Sequence, residues 1–93
     1  MVWKKECFYD NILATDVTLH TYRGVLERSR LRAFVVERMD NGACSYCVQL
    51  RTNGDTLERR GEGYDKLKTA RMQCVRKIQE LLDIERGMRC HRD

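Results

Sequence analysis

The run from Ser45 to Thr52 lies between two turn signals, Asp40-Asn41-Gly42 and Asn53-Gly54-Asp55, in a chain that contains no proline. Within it Tyr46, Val48 and Leu50 alternate with Cys47, Gln49 and Arg51. Successive side chains of a strand point to opposite faces, so this alternation specifies a strand with one covered and one wet face, as in an antiparallel sheet. Asn-Gly favours the positive φ of a two-residue hairpin turn, so Thr56 to Arg60 should return beside it as the next strand. Upstream, Arg32 to Met39, with Phe34, Val35 and Val36, reads as a third strand.

After Gly61-Glu62-Gly63 the period changes. Leu67, Ala70, Cys74, Ile78, Leu81 and Leu82 recur at helical spacing, with Lys68, Arg71, Arg76, Lys77 and Glu80 mostly elsewhere, which predicts a long amphipathic helix ending near Gly87. Asp65 or Tyr64 stands at its start. Before the strands, Thr15 or Asp16 can cap a helix running through Leu19, Tyr22, Val25 and Leu26 toward Ser29. Residues 3–13 carry Trp3, Cys7, Phe8, Ile12 and Leu13, enough apolar surface for a further short helix or for a segment lying against the core.

The expected fold is therefore α+β, α-β-β-β-α: a three-stranded antiparallel sheet packed on two helices, with an N-terminal extension. The boundaries read as an extension over 1–14, a domain over 15–86 and a tail over 87–93. A length of 93 residues allows one domain, and 42% hydrophobic with 34% charged residues is a composition that folds. The Met-Val-Trp-Lys start and Cys-His-Arg-Asp end read as a segment cut from a longer protein.

Lys and Arg number 18 against 14 Asp and Glu, a formal charge of +4. Between Glu58 and Lys77 there are seven basic residues (Arg59, Arg60, Lys66, Lys68, Arg71, Arg76, Lys77) and three acidic ones (Glu58, Glu62, Asp65), so this stretch carries the whole excess. A basic concentration of that kind suits a polyanion, and its bland counterpart is a solvated surface. Five cysteines, an odd number, with no basic-then-apolar leader and no long apolar run, point to reduced thiols inside the cell, in cytoplasm or nucleus, and to no membrane partner.

Cys44-Ser45-Tyr46-Cys47 has the spacing of a zinc half-site that Cys90-His91 would have to complete, but Cys47 falls within a strand rather than on a knuckle turn. No metal or other cofactor is expected. For catalysis there are only His20 and His91, with no glycine-rich phosphate loop and no paired carboxylates at catalytic spacing, so the chain reads as a binding module rather than an enzyme. Trp3, Phe8, Tyr9 and Tyr22 are too scattered for a base-stacking platform. The wet face with Cys47, Gln49 and Arg51, and the edge of the sheet, offer a place for another protein or a second copy.

The order of elements, with Ala33-Phe34-Val35-Val36-Glu37, Tyr46-Cys47-Val48-Gln49-Leu50, Gly61-Glu62-Gly63 and Lys66-Leu67-Lys68-Thr69-Ala70-Arg71, resembles the double-stranded-RNA-binding domain family over roughly Asp16 to Leu82. The resemblance implies that the start of the last helix sets cations on the phosphates of an RNA major groove. Lys68, Ala70 and Arg71 match that family's Lys-Lys-x-Ala-Lys motif, with Lys66 near the missing first lysine. A helix N-terminus with clustered cations is a phosphate site, and A-form RNA is read by shape and backbone. Arg59 and Arg60 would add electrostatic support. His20 or Thr21 would stand at the first-helix contact, and Asp40-Asn41-Gly42-Ala43-Cys44 replaces the usual Gly-Pro-x-x-His loop. Both minor-groove elements are thus degenerate, as in the third domain of Dicer-partner proteins, where the fold serves homodimerisation or docking. Two functions are expected on this basis: binding of double-stranded or hairpin RNA through Lys66, Lys68, Arg71, Arg59, Arg60 and His20, or protein–protein docking.

Overall fold

A computed structural model describes residues 3–23 and 30–90, with side chains as far as Gly87. Five strands, β1 (Trp3–Asp10), β2 (Thr15–Tyr22), β3 (Leu31–Arg38), β4 (Cys44–Arg51) and β5 (Thr56–Tyr64), are followed by one helix, α1 (Leu67–Cys90). They form an antiparallel meander in the order β1-β2-β3-β4-β5. This corrects the expected three strands on two helices. The last three strands lie within a residue of their expected starts, and β5 runs on through Gly61 and Gly63 to Tyr64. The helix expected from Thr15 begins instead as β2, and its remaining stretch, including Val25 and Leu26, lies outside the described residues. Trp3–Asp10, expected as an extension, is an integral edge strand.

The physical reason for the correction is local. Thr15, Val17, Thr18 and Thr21 crowd a helix at χ1 and suit a pleated strand, and this outweighs the helical spacing of Leu19 and Tyr22. The turn that joins β1 to β2 is made by Asp10, whose Oδ1 accepts from the backbone N–H of Ile12 at 2.9 Å and of Leu13 at 3.0 Å. Ala14 closes it at φ 55°. An Asp that binds the backbone two and three residues on is a turn former, here in place of a helix cap.

The core lies between α1 and the face of β3, β4 and β5 that it covers. Leu31, Ala33, Val35, Cys44, Tyr46, Val48 and Leu50 supply the sheet side, and Ala70, Cys74, Ile78 and Leu81 the helix side. Leu67 and Leu82 pack at its margin, so the helical stripe expected from the sequence is the stripe that is buried. The helix continues through Gly87 to Cys90 rather than ending near Gly87.

One irregularity shapes this core. Tyr46 pairs with Gly61 whereas Cys44 pairs with Tyr64, so β5 holds one extra residue, and Gly63 adopts φ 83° there. A bulge of this kind reverses the facing of the residues beyond it. Tyr64 is thereby turned to the helix side, with its ring centroid 6.0 Å from that of Tyr46. Gly61 leaves room for the Tyr46 ring, which a Cβ at that position would overlap.

Candidate functional site

The six residues expected to bind RNA are not brought together. Lys66 and Lys68 are exposed at the start of α1, beside the end of β5. Arg59, opposite Val48 on the covered face, donates from Nε to Glu80 Oε1 at 3.0 Å, and Lys77 shares that carboxylate at 3.1 Å. Those two cations hold the Glu80 carboxyl below its ordinary value. Arg60 points to the opposite face, 2.9 Å from Glu58. The Glu58 carboxyl is likewise lowered, first by the amide of Gln49 and then by Arg60.

Arg71 is turned inward. Its Nη2 donates to His20 Nδ1 at 2.8 Å, which requires His20 to carry its proton on Nε2, and that N–H donates to Glu37 Oε1 at 3.3 Å. The guanidinium also sits 5.2 Å from the centroid of the Trp3 ring, which meets Tyr22 edge-on at 5.1 Å. His20 is 1% exposed. Its pKa is lowered chiefly by burial, with Arg71 adding to the effect and the Glu37 hydrogen bond opposing it. Arg71 and His20 therefore form a clamp that ties α1 to β1 and β2, with the imidazole buried and Arg71 partly buried.

The cysteine pair does not form a half-site. Cys44 is buried under α1, and Cys47, three residues on, faces the other side of the sheet, where its Sγ lies 3.4 Å from Glu58 Oε1. Burial raises both thiols. His91 is outside the described residues, and among the described residues no group of three His, Cys, Asp or Glu side chains is placed to hold a metal ion.

The sheet face opposite α1 carries a different constellation. Pairing about the Asp40-Asn41 turn sets Arg32 against Gln49 and Phe34 against Cys47, while Thr21 flanks Phe34 on the other side. Phe34 forms the shared wall of two hollows. One, of about 430 Å³, includes Val36, Cys47, Gln49 and Arg60; the other, of about 410 Å³, includes Leu19, Thr21 and Arg32. A third, of about 210 Å³, is lined by Arg30, Arg32, Gln49, Arg51 and Thr56 and shares residues with both. Arg30 donates to Asn53 Oδ1 at 2.9 Å, and none of the ion pairs among the described residues involves Arg30, Arg32 or Arg51. Three exposed guanidinia, outside every ion pair among the described residues, thus stand at one end of a trough whose centre is aromatic.

Alternation along β4 places Gln49 and Arg51 on the wet face, whereas Arg30, Arg32 and Phe34 escape sequence reasoning taken strand by strand. Their signal lies in the register: a hairpin centred between Asp40 and Asn41 puts residue numbers summing to 81 opposite one another. Compared with family models, curated proteins and solved structures, the chain matches none. Among the described residues no helix is long and apolar enough to cross a membrane.

Proposed function

We propose that this chain is a binding module for nucleic acid that takes unpaired RNA, such as a hairpin loop, on the open face of its sheet. The supporting observation is the trough that joins Phe34 to Arg30, Arg32 and Arg51. Guanidinium groups without carboxylate partners attract phosphates and release their counterions, and an aromatic ring on an open face stacks on any base. Gln49 stands between the two, although its amide is already engaged with Glu58 Oε1 at 2.7 Å. The hollows on either side of Phe34 have room for planar groups, so the ring can stack while Arg32 and Arg51 hold the backbone.

The test is fluorescence anisotropy of a short single-stranded RNA at several salt concentrations, with circular dichroism to confirm that each variant is folded. Replacing Arg32 and Arg51 together by Ala should weaken binding and flatten the slope of log K against log salt by about 1.4, from two lost phosphate contacts on a single strand. Phe34→Ala should cost about 1–3 kcal/mol of binding, as loss of a stacking partner does. Lys68→Ala should have the smaller effect. Affinity unchanged by the double Arg variant would sink this reading, and loss confined to Lys66 and Lys68 variants would move the interface to the start of α1.

A further inference from the structure

The two edges of the sheet differ. β5 is broken by its bulge and by Gly61 and Gly63, and α1 packs against it. Bulges and covering elements are the usual guards against edge pairing. Among the described residues β1 has neither a bulge nor a covering element: its eight residues keep an unbroken register with β2, contain no Gly or Pro, and are exposed from Lys4 through Tyr9. Phe8 is 45% and Tyr9 58% exposed.

We propose that β1 pairs with β1 of a second copy, antiparallel about a two-fold axis through Cys7, to give a continuous ten-stranded sheet. Residues facing each other across two strands share a face, and an axis perpendicular to the sheet preserves faces, so the numbers of opposed residues must sum to an even value. An axis on Lys5 sets Lys5 against its copy, and an axis on Glu6 does the same for Glu6. An axis on Phe8 opposes Glu6 and Asp10 twice. Like charges directly opposite are destabilising. With the axis on Cys7, Lys4 faces Asp10 of the second copy in two symmetric pairs, and Lys5 faces Tyr9.

Side-chain detail agrees with that register. Asp10 uses Oδ1 for both turn hydrogen bonds, which leaves Oδ2 for the incoming lysine. Lys4 already lies 2.9 Å from Glu6 of its own strand, so the second copy would extend this pair into a network. The two Phe8 rings become diagonal neighbours across the axis, within reach of one another. This pairing is independent of the nucleic-acid reading, since Arg32, Arg51 and Phe34 lie on β3 and β4.

Sedimentation equilibrium of the full chain should give twice the 11.0 kDa chain mass. Lys4→Glu and Asp10→Lys should each weaken the dimer about tenfold, because two opposite-charge pairs become like-charge pairs. Mixing the two variants should restore it, since the mixed pair again has opposite charges on both sides of the axis. A short bismaleimide should link the unmodified chain to itself through Cys7, and Cys7→Ser should abolish the link while leaving the mass doubled; this arm stands if Asp10→Lys disrupts its turn. A monomeric mass, or a dimer indifferent to both charge changes and not linked at Cys7, overturns the proposal. Arg32→Ala should alter nucleic-acid binding without changing the mass, so the two readings fail separately.

Discussion

His20 is a buried histidine whose two ring nitrogens are both committed, one accepting from Arg71 and the other donating to Glu37. Burial is the main reason that the folded state disfavours the imidazolium. A second proton would have to enter at Nδ1, facing a guanidinium N–H, which adds to the effect against the opposing Glu37 hydrogen bond. The unfolded chain takes up that proton near the ordinary histidine value of about 6.5, so it binds more protons than the folded state below that pH. Stability from this site is complete above about pH 6.5 and falls as pH drops toward the lowered folded-state value. Urea unfolding between pH 7 and pH 5 should show that loss, and His20→Gln should flatten it. Asp40, Glu58 and Glu80 do not compete in this window, because their carboxyls are held below their ordinary values by Arg38, by Gln49 with Arg60, and by Arg59 with Lys77. Cys74, at the centre of the core, has its thiol pushed up to about 12 by burial, so it is a packing residue and a poor nucleophile at neutral pH.

The elements differ in how clearly the sequence announces them, and the reason is how many of their faces are covered. β4 and α1 each bury one face completely, so period 2 in Tyr46, Val48 and Leu50 and helical period in Ala70, Cys74, Ile78 and Leu81 both survive in the residue pattern. β1 buries almost nothing and so carries no period to read. β2 is covered on neither side by α1 in the way β4 is, and its alternation is blurred by His20 and Thr18, polar residues in buried positions. Its threonines and Val17 are the better guide. The trough is hidden for another reason: Arg32, Phe34 and Gln49 become neighbours only through the pairing of β3 with β4, a property of two elements together. Gly61 also gains its meaning at this scale. Its Gly-x-Gly setting suggests a link to a helix, yet it lies in β5 beneath the Tyr46 ring, which is 6% exposed and packed near Tyr64. Gly61→Ala should therefore destabilise the fold by about 1–3 kcal/mol through overpacking, measured by chemical denaturation.

Across the whole molecule, the helix packs on β3, β4 and β5, and the β1–β2 hairpin is held by strand pairing, by Trp3 and Tyr22 against the margin of the core, and by the Arg71 clamp. The shape reflects it: the extents are 50 × 24 × 23 Å. Backbone groups at the centre of such a sheet open only with the whole domain, whereas a hairpin with little apolar surface beneath it opens on its own at lower cost. Amide hydrogen exchange of the monomeric Lys4→Glu chain should separate the two, with Lys5 to Tyr9 exchanging fastest among the strand residues and Val35 and Val48 slowest. Equal protection across all five strands would show that the clamp couples the hairpin fully to the core. If Lys5 to Tyr9 exchange first, the seam between β2 and β3 is the line along which the fold comes apart in two stages, and a partly opened form stands in reach whose edge exchanges solvent while its centre stays closed.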